Sequence, residues 1–264
     1  ATSNILFGNP NVVCTPHLGA STSEAQVNVA IQVAEQMWDF LLSGAVSNAV
    51  NMPSITAEEA PRLKPYMALS EQLGSFAGQI TQSAVKKVEV EYQGDAASLN
   101  VKPLTAMVLA SLLRPVTDGV NMVNAPQIAR ARGMTVSETK TEQCADLHTA
   151  IIVTVTTDAG PRSIKGTLFA GREPRIVDIE GVPVEAAVAK TMLFIRNDDT
   201  PGLIGAVGTL LGDARVNIAD FRLGRIPGKA VAVALIAVDG DVPEDVFKKI
   251  AALKQVQQAR RLRF

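Results

Sequence analysis

Met192-Leu193-Phe194-Ile195-Arg196-Asn197-Asp198-Asp199-Thr200-Pro201-Gly202 decides how the last third of this chain folds. An apolar run ending at Arg196 predicts a strand over Met192–Arg196. The polar turn after it leads into a helix over Pro201–Leu211, opening on proline, whose missing N–H costs nothing at a first helical position. Downstream the pattern predicts strands Val216–Gly224 and Ala230–Val238 joined by Ile226-Pro227-Gly228-Lys229, then helix Pro243–Leu253 and strand Val256–Leu262. The order βαββαβ is the ferredoxin-like split unit. Two helices cover one sheet face, so the other face or an edge calls for a partner, and dimerisation through this module is expected.

The preceding stretch has another rhythm. Leu63, Met67, Leu73, Phe76 and Ile80 fall at helical spacing within Pro61–Gln82, and Val88–Tyr92 alternates as a half-buried strand. A helix over Leu104–Leu113 ends at Pro115, a helical stretch Asn121–Arg132 follows, and Met134–Thr141 is a strand. Three more strands, Thr149–Thr156, Ile164–Ala170 and Arg175–Ile179, are separated by Gly160-Pro161 and Gly171-Arg172-Glu173-Pro174. The whole is a mixed α+β module.

At the N-terminal side, Val12-Val13-Cys14-Thr15-Pro16-His17-Leu18-Gly19-Ala20-Ser21-Thr22 reads as a strand, a proline-limited turn, a histidine and a small-residue loop. Ser21-Thr22-Ser23-Glu24 fits a capping box. Ser23–Ser43 then forms the clearest helix, with Gly44 at its C-cap. The boundaries that follow are 1–51, 52–185 and 186–264.

Composition limits the possibilities. The 264 residues carry a net charge of −1 and only 4% aromatics, so nothing argues for binding nucleic acid. Cys14 and Cys144 lie far apart, and with His17 and His148 as the imidazoles a structural zinc site is not expected. The longest apolar run, Val231–Val238, is far short of the ~20 residues of a membrane span. No secretory signal opens the chain at Ala1, and reduced thiols in the cytoplasm are the plain reading.

Three segments carry a resemblance. Asn11–Thr22 with Glu24-Ala25-Gln26 resembles the catalytic-histidine segment of the NAD-dependent D-2-hydroxyacid dehydrogenases, and among them of the D-3-phosphoglycerate dehydrogenases. Asn121-Met122-Val123-Asn124-Ala125-Pro126 with Ala129–Gly133 resembles the intervening, allosteric substrate-binding domain of their long form. Asn197–Gly202 with Val216-Asn217-Ile218-Ala219 resembles an ACT regulatory domain. The resemblance implies an α/β and α+β chain: a remnant of a doubly wound catalytic region, an α+β intervening domain and a ferredoxin-like βαββαβ ACT domain. It also implies NAD as cofactor, D-3-phosphoglycerate as substrate, L-serine as effector and a cytoplasmic homo-oligomer built through the ACT and intervening domains.

No Gly-x-Gly-x-x-Gly follows a strand, and Gly202, Gly205 and Gly208 lack the initial close pair. The chain is therefore expected to be the C-terminal half of such an enzyme, and inactive by itself. The rival reading is a non-catalytic module that senses an amino acid and holds subunits together.

The resemblance makes His17 the general acid/base, which a structural histidine at a strand end would mimic. Gly19 and Ala20 either let the loop approach the nicotinamide or simply form a tight turn. Asn197, Asp199 and Asn217 meet the demands of a zwitterionic amino acid, or are ordinary caps and turn residues. Arg130, Arg132, Lys140, Arg162 and Lys165 form a basic set suited to a phosphate-bearing ligand, or a solvated face. Cys14, Met37 and Trp38 are expected in a core.

Overall fold

The computed structural model describes residues 4–264, which divide into two compact units, each described by itself. The first comprises residues 4–49 and 54–60. Its one helix, α1 (Ser23–Ser43), starts where Thr22 Oγ1 accepts the Ala25 N–H at 3.1 Å and ends at Gly44, whose φ of 76° only glycine adopts cheaply. The cap is Thr22 rather than Ser21, because the Ser21 N–H closes a turn onto the Leu18 carbonyl at 3.1 Å. No capping box with Glu24 forms. Val12 and Val13 form no strand; irregular backbone runs up to the helix. No residue of α1 is buried, and Met37 and Trp38, expected in a core, are 60% and 65% exposed. Cys14 is exposed as well. Helical spacing dictates which residues share a face; only an element packed on that face buries them.

The second unit, residues 50–53 and 61–264, holds two sheets. Helix α2 (Ala60–Ile80) precedes β1 (Lys87–Gly94). Helices α3 (Lys102–Leu113) and α4 (Ala125–Ala131) cross over to β2 (Thr135–Thr141), which pairs parallel with β1. Strands β3 (Thr149–Thr157), β4 (Gly160–Phe169), β5 (Glu173–Ile179) and β6 (Val182–Ala186) continue antiparallel, giving the order β2-β1-β3-β4-β5-β6. Strand β6 was not expected: it is short, and its proline and glutamate obscure the alternation.

One face of this sheet is apolar, with Val88, Val90 and Tyr92 of β1 beside Ile151, Val153 and Val155 of β3, all buried. Helix α2 lies on it so closely that a Cβ on Gly166 would come within 2.7 Å of Leu69. Glycines one turn apart bring α2 onto α3. A Cβ on Gly78 would stand 2.4 Å from the Leu112 carbonyl oxygen. Tyr92 Oη and Thr105 Oγ1, both buried, satisfy each other at 2.8 Å.

The second sheet, β10-β7-β9-β8, combines β7 (Thr191–Asp198), β8 (Ile218–Arg225), β9 (Val231–Val238) and β10 (Val256–Arg263). All pairs are antiparallel, and helices α5 (Leu203–Asp213) and α6 (Glu244–Ala251) complete βαββαβ. Leu193, Ile195, Ala234 and Ile236 face Leu203, Val207 and Ile250 of the helices in one core. The other face, one of the two surfaces the sequence left for a partner, is covered by this chain itself; the sheet edges are a separate matter. Phe194 meets Phe76 of α2 edge-to-face, with centroids 5.7 Å apart and planes at 81°. Strand β6 lies so close that a Cβ on Gly224 would approach the Pro183 carbonyl oxygen to 2.5 Å. Among the described residues no helix is long and apolar enough to cross a membrane.

Candidate functional site

The second sheet ends, at the start of α5, in a cluster built by β7. Its last residues put Asn197 inside and Asp198 and Asp199 at the rim. Asn197 is 2% exposed; its Nδ2 donates to the Asp198 carbonyl at 2.8 Å, while its Oδ1 is buried without a hydrogen-bond partner. Such an unmet acceptor in a native fold is unusual and favours any donor brought to it. The Asp199 Oδ2 accepts a hydrogen bond from Arg225 Nε at 2.8 Å, with Arg225 Nη2 also 2.8 Å away in the ion pair. Arg225 closes β8, and no sequence signal marked it, because its partner lies 26 residues earlier in the chain, just past the end of β7.

Helix α5 begins later than the sequence suggested. Pro201 and Gly202 form a turn, Gly202 stands at the N-cap with φ of 103°, and Leu203 is the first helical residue. No side chain caps this end. The first N–H groups of an eleven-residue helix, with their positive dipole end, therefore follow Asp199 by only a short turn. A carboxylate could settle on the helix end while an ammonium met Asp199.

Asn217 does not join them within one chain. Asn197 is level with Ala232 of β9, whereas Ile218 is level with Val238, so the two asparagines are about 20 Å apart along the sheet at ~3.3 Å per residue. Asn217 is exposed and donates through Nδ2 to Asp239 Oδ2 at 2.7 Å.

His17 is exposed, on irregular backbone rather than at a strand end, and among the described residues no carboxylate lies within ion-pair distance of it. Gly19 and Ala20 form an exposed turn, and a Cβ on Gly19 would meet nothing within 4 Å. The basic set is dispersed. Lys140 donates to the Leu99 carbonyl at 2.8 Å, and Arg162 binds the Ile80 carbonyl and the Gln258 amide oxygen. Burial lowers the Arg162 guanidinium below its ordinary pKa. Arg130 lines a cleft of about 790 Å³ with Lys102 and Glu138, between α3, α4 and β2. Opposed charges there make no dedicated phosphate cradle. Among the described residues, no group of three potential metal ligands gathers.

Comparison with known proteins places these features in context. Residues 62–180 match the D-3-phosphoglycerate dehydrogenase intervening domain, and residues 191–255 match the ACT domain. The chain is 38% identical over 251 residues to the D-3-phosphoglycerate dehydrogenase of Synechocystis, covering 94% of this chain and 45% of that protein. It is 34% identical to the Bacillus subtilis enzyme of the same name over 96% of this chain and 48% of the enzyme. For the Methanocaldococcus jannaschii enzyme the identity is 36%, with 96% and 48% covered. The chain thus spans about half the length of the curated relatives it matches.

Proposed function

Because the chain belongs to the D-3-phosphoglycerate dehydrogenase family, whose C-terminal region it matches, we propose that it serves the oxidation of D-3-phosphoglycerate to 3-phosphohydroxypyruvate in L-serine biosynthesis, and that its ACT domain senses L-serine. The uncapped start of α5, a short turn after Asp199, carries the effector half of this reading. The serine carboxylate sits on the helix N–H groups, and its ammonium on Asp199. Since Asn217 lies at the far end of the sheet, it completes the site only from a second copy, with serine held between two ACT domains of a homo-oligomer.

His17 is the residue assigned to take up the proton of the substrate 2-hydroxyl. NAD supplies the hydride acceptor. Gly19 and Ala20 leave room for a nicotinamide, but the described residues hold no strand–turn–helix glycine cradle for its pyrophosphate, so they do not fit the whole cofactor. Proton uptake is the step that falls to this chain's own residues.

Calorimetric titration with L-serine tests the effector reading. Saturable binding is expected in the wild-type chain and should be lost in both Asp199→Ala and Asn217→Ala. Binding that survives both substitutions places serine elsewhere, and a chain that folds and assembles yet takes up no serine refutes the reading.

A further inference from the structure

Arg162, Glu180 and Arg196 form a cluster that no catalytic or effector contact described above uses. Glu180 sits in the two-residue turn between β5 and β6, at a φ of 54° followed by Gly181 at 80°. Both values belong to the tight hairpin turns in which asparagine and glycine are the usual residues. A glutamate held in the left-handed region persists where its surroundings over-determine it. Here its side chain is 12% exposed and lies between two guanidiniums, Arg162 Nε at 3.4 Å on Oε1 and Arg196 Nη1 on Oε2. Its N–H donates to the Ser163 carbonyl of β4 at 2.8 Å.

The two arginines belong to different sheets. Arg162 is on β4, and also donates to the C-terminal carbonyl of α2 at Ile80 and to Gln258 of β10. Arg196 is on β7, one residue before Asn197. Its Nε donates to Gln257 Oε1 at 3.3 Å, and Gln257 Nε2 donates to Asp198 Oδ1 at 2.5 Å. The Asp198 carbonyl, in turn, holds the Asn197 carboxamide. A continuous run of polar contacts therefore joins the first sheet to the end of β7 where α5 begins.

A buried or half-buried ion cluster is weak evidence for stability, and its best-attested use is to set register or act as a switch. This one is incompletely satisfied. Glu180 Oε1 has an opposite charge nearby but no hydrogen bond, and Arg162 spends its Nη1 on other acceptors. Gln257 bridges the two sides, accepting from Arg196 and donating to the exposed edge of the Asp198 carboxylate.

We infer that Arg162–Glu180–Arg196, extended by Gln257, is the coupling device through which an occupant at the α5 end of the ACT sheet is felt in the intervening domain. An ammonium group arriving beside Asp198 and Asp199 displaces Gln257, and Gln257 releases Arg196. Arg196, then held by Glu180 alone, carries the change to the β5–β6 turn. The occupant's identity rests on the effector reading above; the coupling itself does not. Glu180, Arg196 and Gln257 are positioning residues in this scheme and touch no ligand.

The test is amide hydrogen exchange on the intact chain, with and without L-serine, in wild type, Gln257→Ala, Glu180→Gln and the double variant. In the absence of any ligand, Gln257→Ala should change exchange of the Glu180 N–H by about fivefold or more, the lower end of ordinary allosteric coupling. In the Glu180→Gln background the same substitution should have no further effect there. With serine, the wild-type chain should show altered exchange in β4 and at the end of α2. Glu180→Gln should bind serine within about threefold of wild type yet leave β4 and α2 unchanged. A Glu180 N–H indifferent to Gln257→Ala, or full transmission in Glu180→Gln, overturns the coupling. Lack of serine binding by wild type overturns the effector reading instead, and the ligand-free comparison still decides the coupling. Glu180→Asp, which keeps the charge but shortens the reach, distinguishes loss of transmission from loss of fold: it should retain the circular dichroism of wild type and transmit only in part.

Discussion

The contact that closes the second face of the ACT sheet can be broken by degrees. Phe76 and Phe194 are both fully buried, one on α2 and one on β7, with rings edge-to-face at 5.7 Å. Replacing either by leucine removes up to three carbons' worth of burial at ~0.8 kcal/mol each, softened by relaxation to about 1–2 kcal/mol. The edge-to-face geometry adds about 0.5–1.5 kcal/mol that only the pair has, so the double variant should be less destabilised than the two singles combined by that amount. A combined loss of about 2–3 kcal/mol is survivable for a domain of ordinary stability. Urea unfolding followed by far-ultraviolet circular dichroism measures it. With a slope of ~3 kcal/mol per molar, each single variant should lower the midpoint by about 0.3–0.7 M. Single variants whose effects add within about 0.3 kcal/mol would refute the packing of the ACT sheet on α2. Midpoints unchanged in either single variant would refute it more directly, since they would mean that the helix-free face is not buried by this chain.

Three other outcomes follow from particular contacts. Gly78→Ala should cost about 1–3 kcal/mol in thermal or urea unfolding, because its Cβ would stand 2.4 Å from a backbone oxygen that cannot rotate away; an unchanged melting curve would show that α2 and α3 are not packed this closely. Burial raises both tyrosines, Tyr66 and Tyr92, above their ordinary pKa of 10. The unfolded chain therefore loses these protons first, and the stability they contribute is full below pH 10 and falls as the pH rises above it. Absorbance at 295 nm should stay flat through pH 10 in folded protein and step up on unfolding, and Tyr92→Phe should lessen the alkaline loss. His17→Ala should leave the free energy of urea unfolding within about 0.5 kcal/mol, as an exposed side chain without a described partner allows, while lowering dehydrogenase turnover about 10²–10⁴-fold in any chain that has it.

Most of the secondary structure was legible because its signals are local. Strict alternation marked β1, an eight-residue apolar run marked β9, and a threonine–serine start with a terminal glycine bracketed α1. The order βαββαβ followed from these elements, and with it the ferredoxin-like class. Local signals failed where one residue has two roles to choose between. Pro201 can open a helix or end a turn, and Gly202 in the left-handed region settled it as a turn. Ser21 and Thr22 can each cap, and a turn back to Leu18 chose Thr22.

Residue chemistry indicated which side chains could matter: a histidine in a distinctive motif, and Asn197, Asp199 and Asn217 at the ends of strands. Which of them meet was beyond its reach. Antiparallel register sends Asn217 to the far end of the sheet from Asn197, a long-range consequence of strand pairing that no local pattern encodes. Arg225 reaches Asp199 for the same reason, and Glu180 finds Arg196 only because β6 folds back on the ACT sheet. The sequence by itself determined periodicity, turns and the kinds of groups available. Tertiary structure alone decided which faces are covered and which charges are paired, because burial and ion pairing depend on elements distant in the chain.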